Sequence, residues 1–246
     1  MQAAHSSAKP FAPTRLAAAA ALAASLAAPA FAQNVNVNFT TLNPTAGTFV
    51  SCTTTDRCAT SAGAAMSFTT SGLTVTATGL TRSSTGAPSN AVAMQDYNGT
   101  SALPWTGLGV YPAGNLTGSL DNIGTNDVLK LDFGNQLVTL KSLQFYNGSH
   151  GTSFDTTAKW GLSTTAPTAG GTFTQYSFAA NGFNDITDIQ SKTFYLYGLN
   201  SGSTKEFYVG GVTVTPVPEP GTLGLMAAGL GVVGMVSRRR KALMRG

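Results

Sequence analysis

From Gln33 to Thr215 no stretch sustains an apolar period of 3.6 residues, whereas period-two alternation recurs along the whole segment. Val35, Val37 and Phe39 alternate with Asn34, Asn36 and Asn38. Successive side chains of a strand point to opposite faces, so this spacing describes a strand with one wet and one dry face. Between Gly72 and Gly79, Leu73, Val75 and Ala77 alternate with threonines. From Asp127 to Phe133, Leu129, Leu131 and Phe133 oppose Val128, Lys130 and Asp132. The run from Leu137 to Tyr146 places Val138 and Leu140 on one parity and Leu143 and Phe145 on the other. That phase change near Ser142 predicts a β-bulge. Strands are also expected over Thr172 to Phe178, Thr193 to Tyr197 and Glu206 to Thr215, with Gly210-Gly211 as a second bulge or bend. Short strands separated by Gly, Asn, Ser and Pro predict an all-β fold over residues 33–215, an antiparallel β-sandwich of jelly-roll or immunoglobulin-like type.

The flanks have a different composition. Residues 1–32 read as a secretory signal peptide. Lys9 and Arg15 form a positive n-region, Leu16 to Ala28 is apolar, and Ala30-Phe31-Ala32 is a small-x-small site for signal peptidase before Gln33. At the other end, residues 216–246 hold three devices in order. Pro216, Pro218 and Pro220 alternate with Val217 and Glu219, which forbids a helix and favours an extended stalk. No residue from Thr222 to Ser237 is charged, so a short C-terminal transmembrane helix is expected at 222–237. Sixteen helical residues span roughly 24 Å at about 1.5 Å each, slightly short of a hydrocarbon core of about 30 Å. Arg238, Arg239, Arg240 and Lys241 open the basic tail 238–246 and act as a stop-transfer cluster that stays cytoplasmic.

Val217-Pro218-Glu219-Pro220, the apolar run and the basic cluster together resemble the PEP-CTERM sorting signal of exported proteins of Gram-negative bacteria. The resemblance covers about the last thirty residues. It implies that the integral-membrane protease exosortase recognises Pro218, Glu219 and Pro220 and cuts near them. The catalytic residues would then belong to the partner. It further implies a chain held single-pass in the inner membrane before processing, then placed at the cell envelope surface or outside the cell, in association with exopolysaccharide or biofilm. The segment Asp121 to Phe133 with Val138 to Phe145 resembles, more loosely, the exported β-domains of such proteins. A Gram-positive sortase signal would need Leu-Pro-x-Thr-Gly, which is absent. Gly229-Leu230-Gly231-Val232-Val233-Gly234 satisfies G-x-G-x-x-G, but it lacks the acid about twenty residues on that a dinucleotide site requires.

The net charge of +4 invites a nucleic-acid reading that the placement of the charges removes. Seven Lys or Arg stand against ten Asp or Glu between Gln33 and Glu219, so the basicity belongs to the two addressing segments and no nucleic-acid partner is expected. Cys52 and Cys58 are the only cysteines and are expected to form a disulfide in an oxidising compartment. Closing so short a loop contributes roughly 2–2.5 kcal/mol.

No catalytic residue, cofactor or metal is assigned. His150, in the turn-like Asn147-Gly148-Ser149-His150-Gly151, is the only histidine beyond the leader, so multi-histidine metal sites are excluded and a Ser–His–Asp triad has only this base to use. Asp121, Asn126 and Asp127 carry oxygens suited to a structural Ca²⁺, yet Asn, Asp and Gly are also what a tight turn before a strand uses, and the turn is the preferred reading. Asn38, Asn98, Asn115 and Asn147 open N-x-Ser/Thr patterns, which chance supplies in so Asn- and Thr-rich a chain. The chain is therefore expected to be a non-enzymatic surface or matrix protein. The alternative is a glycan-binding, lectin-like module in which Trp105, Tyr111 and Trp160 form a stacking platform, although such residues more often fill a sandwich core or its rim.

Overall fold

In a computed structural model of the chain, the described residues are 33–47, 49–51, 58–82, 88–100, 103–112, 121–168 and 171–218, with 224, 228–234 and 236 in the tail; for 49–51, 97–100 and 103–105 the backbone alone is described. The chain divides into two compact units. One is Ala32–Val217; the other combines Met1–Phe31 with Pro218–Gly246.

The larger unit is all-β and antiparallel. Its strands are β1 (Val35–Asn38), β2 (Ala46–Gly47), β3 (Phe49–Ser51), β4 (Cys58–Thr60), β5 (Ala65–Thr70), β6 (Leu73–Thr81), β7 (Ser89–Asn90) and β8 (Val92–Thr100). They continue with β9 (Leu103–Tyr111), β10 (Asp127–Asp132), β11 (Val138–Asn147), β12 (Lys159–Ser163), β13 (Thr174–Ser177), β14 (Phe183–Ser191), β15 (Thr193–Gly198) and β16 (Phe207–Pro216). One sheet runs β14-β11-β16-β9-β8-β4-β3, with β1 also paired to β16; the second runs β13-β12-β15-β10-β6-β5-β2, with β7 paired to β6.

The alternation read from the sequence assigns the inner faces. Val37, Leu143, Phe145, Val209, Val212 and Val214 of the first sheet share one buried cluster with Phe68, Val75, Leu129, Leu131, Phe194 and Leu196 of the second. Two antiparallel sheets sharing a core face to face form a β-sandwich, as expected. At one end of the core Phe145 meets Trp160, Phe178 and Phe207 edge-on, with ring centroids 4.9, 5.3 and 5.0 Å apart. Aromatic rings favour such offset contacts because the positive edge of one meets the negative face of another.

Both expected bulges are present. The register of β11 against β14 and β16 slips between Leu140 and Ser142, where the apolar parity switches. A second slip places Gln144 opposite Gly211 and Phe145 opposite Val209, so Gly210 is the extra residue on β16. Each bulge keeps a hydrophobic residue inward after the insertion of one that would reverse every later side chain.

The spanning helix expected at 222–237 is not reproduced. Among the described residues no helix is long and apolar enough to cross a membrane. The helical positions described there are 224, 228–234 and 236, and Leu230, Val232, Val233 and Val236 are exposed.

Candidate functional site

The sorting element begins where the sandwich stops. β16 ends at Pro216, and Val217 is still fastened to the domain. Its N–H donates to the Leu137 carbonyl (2.8 Å), and its own carbonyl accepts from Gln136 Nε2 (2.9 Å). Gln136 Nε2 also donates to the Leu137 carbonyl, so one amide closes the open end of the β11–β16 pair. Pro218 is exposed and has no N–H to donate. Glu219, Pro220 and the cluster Arg238, Arg239, Arg240 and Lys241 lie outside the described residues, as do Ala30, Ala32 and Cys52. Cys58 is buried in β4 against β8, and no described cysteine is free.

The outer face of the first sheet carries a groove of about 370 Å³ that the sequence did not announce. Its floor is β16, represented by Gly210, Gly211 and Thr213, flanked by Asn36 and Asn38 of β1 and by Ser142, Gln144 and Tyr146 of β11. Thr40, Thr152, Asn181 and Phe183 complete the wall. The bulge at Gly210 makes this surface possible, because a β-carbon there would meet the Tyr146 ring at 2.3 Å. The sequence signal was the polar parity of β1 and β11, whose Asn36, Asn38, Ser142, Gln144 and Tyr146 read only as solvent-facing residues.

Beside the groove the same sheet face is buried over a polar cluster. Tyr208 is 1% exposed, and Asp96 and Asp121 both approach its hydroxyl. Burial first, and then these two carboxylates, hold the phenol well above its ordinary pKa, so it remains a hydrogen-bond donor. His150 Nε2 lies 2.8 Å from Asp96 Oδ2, and its ring tilts against Tyr208 at 5.4 Å. His150 adopts φ +64 in a turn built on Asn147, whose Oδ1 accepts from the N–H groups of Ser149 and Gly151. The pair thus ties the loop after β11 to β8.

Several sequence candidates prove to be structural. Asp127 Oδ2 accepts from the Gly124 N–H (3.0 Å), and the Asp127 N–H returns to the Gly124 carbonyl (3.0 Å), with Asn126 at φ +74 between them. This is the turn reading of that segment. Burial raises the Asp127 carboxyl to about 7; the Gly124 bond opposes the shift and Glu206 adds to it. Among the described residues no group of three or more His, Cys, Asp or Glu is placed to hold a metal ion.

Trp160 is fully buried, stacked on Tyr176 at 4.7 Å, and Tyr111 is 1% exposed. These two belong to the interior and cannot present a stacking platform. The side chain of Trp105 lies outside the described residues. Asn147 of the N-x-Ser pattern is buried and engaged in its turn.

Compared with known proteins, residues 216–241 match the family model of the PEP-CTERM protein-sorting motif. No curated protein and no solved structure matches the chain.

Proposed function

We propose that the chain is an exported protein whose C-terminal motif hands it to exosortase, and whose β-sandwich is the finished, non-enzymatic product delivered to the cell surface or its matrix. One observation carries this reading: the matched motif at 216–241 starts as the last strand ends, with Val217 pinned by Gln136 and Leu137 and Pro218 exposed just beyond. A protease acting at Pro218-Glu219-Pro220 therefore meets a sequence whose two prolines have no N–H to give to a sheet ladder. Cleavage leaves every strand among the described residues in the product. Before cleavage the apolar stretch 222–237 and the basic cluster Arg238 to Lys241 hold the chain at the inner membrane with its C-terminus cytoplasmic. The leader directs export and is removed by signal peptidase after Ala32. In the oxidising space outside, Cys52 and Cys58 pair.

At the surface the domain works among exopolysaccharide in a matrix or biofilm, as a structural component. The burial of Trp160 and Tyr111 favours this over a lectin built on exposed tryptophans. The test replaces Pro218, Glu219 and Pro220 by alanine and follows the chain by cell fractionation. Accumulation in the inner membrane with loss from the surface and medium supports the reading. Unchanged surface delivery contradicts it.

A further inference from the structure

We infer that the groove on the outer face of β1, β11, β14 and β16 is a binding site for an uncharged glycan, an inference that rests on the domain being displayed outside the cell. Its wall is rich in amides and hydroxyls. Asn36, Asn38, Gln144 and Asn181 supply amides, and Thr40, Ser142, Thr152 and Thr213 supply hydroxyls; among the described residues no Asp, Glu, Lys, Arg or His lines it. Asp185, the nearest acid along β14, stands opposite Ser142 in register but outside the lining. A sugar hydroxyl both donates and accepts, and a side-chain amide offers both functions within one group. Anionic ligands call for arginine, lysine or a helix N-terminus, and lipids call for an apolar wall.

The second component is aromatic. Phe183 is 43% exposed, and among the described residues of the β-domain it is the one large hydrophobic left in solvent. Tyr146 lies against Gly210 on the neighbouring strand pair. The C–H face of a pyranose is apolar while its rim is polar, so an exposed ring beside amides matches both surfaces of one sugar.

The polar groups are already oriented. Gln144 donates its amide hydrogens to the backbone carbonyls of Phe145 (3.1 Å) and Asn181 (3.4 Å), which fixes the orientation of this lining side chain. Asn38 Oδ1 accepts from both the N–H and the hydroxyl of Thr40, which leaves its NH₂ to serve a ligand. Asn181 Oδ1 accepts from the Phe183 N–H and fixes the turn under that ring. Orientation before binding removes part of the entropy cost of association. The backbone of β11 is paired on both sides, to β14 and to β16, so along β11 the groove presents side chains and no free backbone groups. A volume of about 370 Å³ is at the small end of ligand sites, which suits a short stretch of a longer polysaccharide.

The experiment uses the exported chain recovered from cells, whatever its C-terminus, and isothermal titration with cellohexaose, maltohexaose and mannohexaose. Oligogalacturonate and a chitosan oligomer serve as charged comparators. Saturable binding of a neutral oligosaccharide is expected, weakened at least about tenfold by Phe183→Ala and by Thr213→Arg with melting temperature unchanged. Three results overturn the inference: no neutral oligosaccharide binding at millimolar ligand, binding confined to the charged oligomers, or binding indifferent to both substitutions. A chain that binds but retains its basic tail contradicts the processing proposal alone. A correctly cut chain that does not bind contradicts the groove alone.

Discussion

The ring of Tyr146 rests on Gly210 so closely that a β-carbon at residue 210 would lie 2.3 Å from Cε2. This contact joins the bulge of β16 to the one aromatic side chain that β11 contributes to the groove. A methyl group at 210 must push the ring away or bend the strand. Gly210→Ala is therefore expected to destabilise the domain by about 1–3 kcal/mol, the usual cost of overpacking. Urea unfolding checks this, and an unchanged midpoint contradicts the tight contact.

The buried carboxyl of Asp127 makes a separate prediction about pH. Its folded-state pKa is raised from 3.8 to about 7, so the native state holds a proton that the unfolded chain releases. Stability contributed by the protonated form is complete below the unfolded value and is lost as pH rises from about 4 to about 7. Every tenfold difference in proton affinity between the folded and unfolded chain corresponds to about 1.4 kcal/mol. Unfolding midpoints at pH 4.5 and 7.5 should differ less in Asp127→Asn than in the parent. Equal differences in the two proteins contradict the assignment.

Trp160 is expected to behave as a core residue. Truncation to alanine removes its contacts with Phe145, Tyr176 and Phe178 and should cost about 3–5 kcal/mol. Its indole Nε1 is buried without a hydrogen-bond partner among the described residues. Trp160→Phe removes that donor while keeping most of the ring, so it should cost much less than Trp160→Ala. Thermal denaturation of the two variants decides the point, and equal losses would show that ring volume is not what holds the site.

If Cys52 and Cys58 are joined, reduction should lower stability by roughly 2–2.5 kcal/mol, a local brace across a short loop. Peptide mass mapping without reduction should show the two cysteines in one linked fragment. Two separately alkylated cysteines in the exported protein contradict the pairing.

Strands whose outer face meets water were legible in the sequence, because one dry and one wet face produce alternation. β1 and β6 follow that rule, and β10 and β11 over part of their length, and even the bulges showed, as a parity change near Ser142 and as the pair Gly210-Gly211. The β8–β9 hairpin did not. Ala91 and Ala93 are buried, and Val92 and Met94 form a further cluster with Ala59 and Tyr111, so the run lacks alternation altogether. The groove was hidden for a related reason. Asn36, Asn38, Gln144 and Asn181 lie far apart along the chain and become neighbours only through the β1–β16–β11–β14 order. Trp160 fills the core, the commoner use of such a ring and not the alternative platform, and a large ring looks the same in a sequence whether it serves a core or a surface. The C-terminal address was legible because it is read as linear sequence.

The most direct measurement of the central claim is the intact mass and C-terminal peptide sequence of the protein recovered from the cell surface or medium, in cells with and without a working exosortase. The account predicts a C-terminus at or near Pro218-Glu219-Pro220 that is lost when the enzyme is absent. A chain that keeps Arg238 to Gly246 in both strains would contradict it and leave a β-domain that is not an exosortase product.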